Sequence, residues 1–302
     1  MCVCVCVSVC LCVCVSVCLC VCVCVCVCVC VCVCVCVCVC VCVACACACV
    51  CVSSLGGFVC SVAAQRPRVS LHYLDLSSLA SATRSADALR AMAEDQPPDL
   101  VITNAAVVPA ANSTTSDGYE LMFQVNYLAH ALWLRRLLAL QLSQPDARVA
   151  WPKRVILVVS EAHRAAAAIN DRPLKEVRAY GATDSMSEYA RSKLALVMLG
   201  QELSRRLPST HVSTICPGPV NSDIARHSPA VIRPLIRAFM QGLFASPVAA
   251  AQAVVVAATQ AVEPSGAHFH MAFPTPPRPD ACDPIATAWL WRETEALLAQ
   301  RL

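Results

Sequence analysis

Charge is absent from the first fifty-two residues, and the first charged side chain is Arg66. Aromatic side chains are missing from the same stretch. A secretory leader, which needs a basic start followed by a short apolar run, is therefore excluded there. A membrane anchor would lack its flanking Lys/Arg and its aromatic anchors. Over the whole chain neither sign of charge dominates, since 23 Lys and Arg against 20 Asp and Glu leave a formal net charge of +3. That balance excludes a strongly basic nucleic-acid binder, so no nucleic-acid partner is expected. Cysteine looks plentiful at 26, yet 23 lie within residues 1–52 and only Cys60, Cys216 and Cys282 follow. Three dispersed thiols cannot build a disulfide framework, which points to an intracellular, cytoplasmic setting.

What is present divides into unlike parts. Residues 1–52 are a Cys-Val low-complexity segment, 53–68 read as a linker, and 69–302 read as one globular domain. The part beyond residue 52 is long enough for a sizeable core. In a strand, strict Cys-Val alternation puts every thiol on one face and every valine on the other. The run exceeds the ~20 apolar residues that span a bilayer. Membrane anchoring through 1–52 is thus compatible with hydropathy, but β-branched valines favour extended backbone, and a lone strand in lipid leaves its amides unsatisfied. Thiols set among valines rather than small polar residues also argue against a metal-storage module. Alternating TG read in frame encodes Cys-Val, and Ser8, Leu11, Ser16 and Leu19 are single-base departures. The segment reads best as a translated dinucleotide repeat, β-prone and without gatekeeper charges.

Beyond it, strand and helix patterns alternate. Val69–Leu74 reads as a strand, and Ser77 or Ser78 caps a helix with apolar positions Leu79, Ala82, Leu89 and Met92. Leu100–Thr103 is a second strand, and a long amphipathic helix runs from about Tyr119 to Leu142. Arg154–Val159 is almost continuously apolar, as a parallel strand covered on both faces should be. A helix over about 187–207 precedes a strand at His211–Cys216. Two apolar helices near 230–244 and 248–262, a strand-like Ala267–Phe273 and a last helix from Pro284 complete the chain, with Trp289 and Trp291 set to cover the core. This order means an α/β, doubly wound parallel sheet of Rossmann-like type, whose ligands bind beyond the carboxyl ends of the strands.

Those ends carry chemistry. Tyr189 and Lys193 lie four residues apart on one helix and share a face, so the ammonium is placed to lower the phenol pKa. Such a phenol serves as general acid or base for a carbonyl/alcohol pair. Ser160 follows a buried strand, where its hydroxyl can bond the same substrate oxygen. Asn126 is an amide inside an apolar helix and calls for a partner. His268 and His270 alternate on a strand without an evident third ligand, so no metal is expected. Cys216 reads as a small buried apolar residue.

The ordered set Asp75-Leu76-Ser77-Ser78, Asn104-Ala105-Ala106, Asn126, Ser160, Tyr189-x-x-x-Lys193 and Pro217-Gly218 resembles the short-chain dehydrogenase/reductase family. Asp117-Gly118-Tyr119-Glu120, Val125–His130, Glu161-Ala162-His163 and Ser192–Ala195 resemble its retinol-dehydrogenase and protochlorophyllide-reductase branch. The resemblance covers 69–302. It implies an NAD- or NADP-dependent oxidoreductase acting on a small lipophilic alcohol or carbonyl. Tyr189 would move the substrate proton, Ser160 would hold the substrate oxygen, Lys193 would bind the nicotinamide ribose, and Asn126 would support a water-mediated relay to Lys193. Asp75 and Leu76 would meet the adenine, with Asn104, Ala105 and Ala106 behind the adenine ribose. Pro217 and Gly218 would face the nicotinamide, while Val220 and Ser222 reach its carboxamide. Val159, Ala106 and Ser222 stand where the family usually has Ser, Gly and Thr.

One family element has no counterpart. The eight glycines, at 56, 57, 118, 181, 200, 218, 242 and 266, form no Gly-x-x-x-Gly-x-Gly turn. That turn lets backbone approach a pyrophosphate. The Cys-Val repeat stands in place of the family's first strands, including the strand end that chooses between the two dinucleotides. The competing expectation is therefore a non-catalytic member that lacks its pyrophosphate-binding turn.

Overall fold

The computed structural model describes residues 72–93, 98–109, 111–144, 151–176, 179–181, 184–218, 247–259, 264–271 and 273–299, together with the backbone of four strands within 5–52. The linker at 53–68, the helix near 230–244, Val220 and Ser222 lie outside these residues. The four early strands are β1 (Val5–Cys12), β2 (Cys22–Val29), β3 (Val37–Val43) and β4 (Ala46–Val52). They pair antiparallel, β1 with β2 and β3 with β4, as two separate two-stranded sheets.

The main sheet has the order β5 (Leu100–Thr103), β6 (Arg154–Val158), β7 (His211–Cys216), β8 (His268–His270) and β9 (Phe273–Pro274). The first four are parallel, and only β9 runs antiparallel to its neighbour. The helices are α1 (Leu79–Ala93), α2 (Leu121–Phe123), α3 (Ala129–Leu137), α4 (Ala139–Ser143), α5 (Ser185–Arg206), α6 (Pro247–Thr259) and α7 (Pro284–Leu298). Among the described residues no helix is long and apolar enough to cross a membrane.

Strand β6 shows why its sequence is apolar without alternation. Val155 and Leu157 face one core, shared with α1, α3, α5 and α7, and Ile156 and Val158 face another, shared with Ala253 and Ala257 of α6. A strand with helices on both faces has no solvent side on which to place polar residues. Helix α5 lies so close to the sheet that a Cβ at Gly200 would come 2.5 Å from Thr214 Cγ2. From α7, Trp291 is buried in the larger core and Trp289 packs against it.

The expected helix over 119–142 is not continuous. Glu120 caps its start through both carboxylate oxygens, bonded to the amides of Met122 and Phe123. A π turn at Gln124–Leu128 then separates α2 from α3, and a break at Leu138 separates α3 from α4. Such turns widen a helix locally and are frequent at functional sites.

The strand expected at Val69–Leu74 is not present over its described part, since residues 72–75 have no strand pairing. The reason is the sheet edge. Extended backbone becomes a strand only through a partner's ladder. Among the described residues β5 is hydrogen-bonded to β6 alone.

Candidate active site

The carboxyl ends of β6 and β7, and the second turn of α5, meet in one place. After β6 the chain leaves as Val159-Ser160 into a short 3-10 turn, Glu161–Ala165, which Ser160 caps by accepting from the Ala162 amide at 3.2 Å. The Ser160 hydroxyl is also near enough to the Tyr189 phenol of α5 to favour its charged form. One turn further along α5, Lys193 is 2% exposed, its Nζ 5.7 Å from the Tyr189 ring centre. It donates to the Val158 carbonyl at 3.1 Å. The fold thus brings Ser160, Tyr189 and Lys193 together.

Asn126 sits within the π turn and is fully buried. Its Oδ1 accepts from the Val107 amide at 2.8 Å, and its Nδ2 donates to the Val107 carbonyl at 3.0 Å and to Ser192 Oγ at 3.1 Å. Ser192 Oγ in turn donates to the Tyr189 carbonyl at 2.8 Å. The amide therefore ties the loop after β5 to the turn of α5 that carries Tyr189. The π turn is what the sequence did not announce: it turns Asn126 toward that loop from inside an apolar helix.

Two chemically similar side chains are committed elsewhere. The Tyr180 phenol donates to Glu120 at 2.6 Å, and burial beside that carboxylate raises its pKa. His130 donates Nε2–H to the Ala105 carbonyl at 2.9 Å, and burial lowers its pKa to about 4, so the imidazole is neutral.

The electrostatics differ from the sequence expectation at one point. Burial raises the Tyr189 phenol to about 12, although the Ser160 hydroxyl opposes the change. Lys193 itself is lowered to about 8 by burial. The desolvation of the phenol outweighs the effect of Ser160, so at neutral pH Tyr189 is a protonated donor.

Before α1, Asp75 accepts from the Ser77 amide at 2.9 Å and the Ser77 hydroxyl at 2.6 Å. Ser78 caps α1 through the Ser81 amide at 3.3 Å. Leu76 is fully buried, leaving only its backbone for a ligand. Asn104 and Ala106 are exposed after β5, while Ala105 turns inward. Pro217 and Gly218 follow β7, half-buried, and Gly218 has φ +85°, where an added Cβ would lie 2.7 Å from Met271 Cε. The positive φ disfavours a side chain there, and one would also have to displace the flexible end of Met271.

A nicotinamide dinucleotide fits this arrangement at its ribose. A buried ammonium has three donors, and among the described residues one is shown meeting a carbonyl, which leaves N–H groups for a diol. The fit is weaker at the pyrophosphate, since the described glycines form no phosphate-binding turn.

One grouping was not anticipated. Glu161, Cys216 and His270 place a carboxylate oxygen, a sulfur and a ring nitrogen within 4.8 Å of one another, as do Glu161, His163 and His268 with their own donors. The signal lay in the β7–β8 register, which pairs Cys216 with His270 and Thr214 with His268. Alternating histidines alone could not disclose it.

No protein-family model matches the chain. Retinol dehydrogenase 13 of Mus musculus is 33% identical over 256 residues, covering 79% of this chain and 73% of the relative. Dehydrogenase/reductase SDR family member 13 of Bos taurus is 32% identical over 229 residues, covering 74% of this chain and 58% of that one. A crystal structure of an uncharacterised protein from Mycobacterium paratuberculosis superposes with a TM-score of 0.55 at 25% identity, covering 78% of this chain and 77% of that one. With the fold and the strand-end residues already in view, these relatives place the chain in the short-chain dehydrogenase/reductase family, in its retinol dehydrogenase-like branch.

Proposed function

We propose that the chain interconverts an alcohol and a carbonyl on a small lipophilic substrate, with Tyr189, Ser160, Lys193 and Asn126 as its working residues. The observation that carries this reading is the convergence of Ser160 at the end of β6 with Tyr189 of α5 and the buried Lys193, whose Nζ lies 5.7 Å from the Tyr189 ring centre. NAD or NADP, when bound, supplies or accepts the hydride. In the reductive direction Tyr189 donates its phenolic proton to the substrate oxygen as negative charge develops there. Its raised pKa keeps that proton in place at neutral pH. Ser160 donates a second hydrogen bond to the same oxygen and fixes its position. Lys193 holds the nicotinamide ribose and stabilises the phenolate left behind. Asn126 positions α5 through Ser192 and Val107.

Pro217, Gly218, Val220 and Ser222 would line the nicotinamide side. Asp75, Leu76, Asn104, Ala105 and Ala106 would line the adenine side. Residues 69–302 would form the catalytic domain, joined through 53–68 to the Cys-Val segment. The scattered cysteines of 53–302 support a cytoplasmic setting, and membrane association through 1–52 is the disfavoured alternative. Retinoids are the substrate class suggested by the relatives' names.

Tyr189→Phe tests the reading. Retinaldehyde reduction with either dinucleotide should fall by about 10²- to 10⁴-fold, with the circular dichroism spectrum unchanged. Turnover equal to that of the parent chain would overturn the assignment. A second reading, a non-catalytic member of the family, is favoured by the missing glycine turn. Titration with dinucleotide separates the two, since micromolar binding contradicts the second and no binding at millimolar concentration contradicts the first.

A further inference from the structure

Three metal-binding side chains from different elements converge beside Ser160. Glu161 opens the 3-10 turn after β6, Cys216 ends β7 and His270 ends β8, with Cys216 and His270 opposite each other in the parallel register. Their donor atoms all lie within 4.8 Å of one another. Two features set this cluster apart from a polar surface group. His270 Nδ1 is buried and has no hydrogen-bond partner, although Glu161 Oε1 is only 3.5 Å away. The carboxylate is also held from outside the cluster: His268 Nε2 lies 3.1 Å from Oε1, and His268 Nδ1 lies 2.8 Å from Thr214 Oγ1. Arg164 occupies the other oxygen, Oε2. The Glu161 amide points at Cys216 Sγ from 3.3 Å. Outer contacts of this kind orient metal ligands and fix their tautomers.

We propose that Glu161, Cys216 and His270 form a binding site for a zinc-type divalent cation, with a fourth position open. One thiolate, one imidazole and one carboxylate suit borderline-soft zinc rather than magnesium or calcium. Zinc bond lengths ask for donor atoms roughly 3.3–3.7 Å apart in a tetrahedron. The carboxylate–imidazole separation of 3.5 Å already meets that requirement, and the thiol sulfur lies within 4.8 Å of both. Binding releases the Cys216 proton to solvent and gives the site two negative charges against the cation. The neighbouring set of Glu161, His163 and His268 is less suited, because its imidazoles are engaged. His163 Nε2, the nitrogen not bonded to the Ser160 carbonyl, accepts from the Arg278 amide at 3.5 Å, and both His268 nitrogens have partners. The site is independent of the oxidoreductase reading and stands or falls separately from it.

Cadmium NMR of the full chain tests the proposal, because a cation held by one sulfur, one nitrogen and one oxygen resonates apart from one held by the thiols of residues 1–52. The expected result is a mixed-donor signal that is lost in Cys216→Ser and in His270→Gln and retained in His163→Ala. His270 is partly exposed, so its replacement leaves the fold intact, which a circular dichroism spectrum verifies. A thiol-only signal would overturn the proposal. So would a mixed-donor signal that survives His270→Gln, or one that disappears only in His163→Ala.

Discussion

The centre of the sheet, at β6 and β7, and its β5 edge are built to different standards. At the ends of β6 and β7 each strand has neighbours on both sides, helices cover both faces, and Lys193 and Asn126 are almost wholly buried. Among the described residues the ladder around β5 continues on one side only, residues 72–75 form no strand, and Asp75 spends its carboxylate on a local turn with Ser77. Proton-transfer geometry needs one strand end and two turns of one helix. A dinucleotide pocket needs several adjacent strands and a phosphate-binding turn.

Stability measurements can break the comparison most directly. Leu157 is fully buried between β6 and α5, so Leu157→Ala should cost about 2–5 kcal/mol. Leu89, only partly buried on α1, should cost markedly less on the same change. Urea denaturation of the two variants reads the difference, and equal losses would show the two sides to be equally well packed.

Acid titration sharpens the picture at the ends of β6 and β7. Burial tends to raise the Glu161 pKa, but hydrogen bonds and charge from Arg164 and His268 outweigh it and hold the group at about 2, down from 4.5. A carboxyl depressed in the folded state contributes stability above its unfolded pKa, and that contribution is lost as pH falls from about 4.5 toward about 2. Glu161→Gln should therefore flatten the melting temperature across that window and leave its pH dependence above 5 unchanged in shape. A steep decline retained in the variant would assign the acid sensitivity to other groups.

The smallest effect is expected at Asp75. Its bonds to Ser77 are local and half-buried, so Asp75→Ala should cost less than about 1 kcal/mol. Any loss should appear instead in dinucleotide affinity, read by titration. A large loss of stability would show this turn to be a structural anchor.

Much of this was legible in the residues. The apolar run at 154–158 and the helices following it encode a parallel sheet covered on both faces, because such strands leave no alternation to read. Tyr189, Lys193 and Ser160 were legible because each depends on local spacing or on a strand end. Other features were not. The π turn around Asn126 breaks no propensity rule that a helix pattern can detect. The strand expected at 69–74 has the composition of a strand, but its described residues, 72–74, have no strand partner, and a partner is something no local pattern contains. The phenol pKa moved opposite to expectation, because desolvation depends on packing from elements distant in sequence.

The sequence by itself determined the order of strands and helices, the family motifs and the absence of a glycine turn, since all of these are written in short-range spacing. Only the tertiary structure decided which edges were paired and how far burial shifted each proton. It also brought Glu161, Cys216 and His270 together from three separate strand ends. Those properties depend on contacts between residues far apart in the chain, and the free energy of such contacts is set by the packed interior rather than by any local pattern.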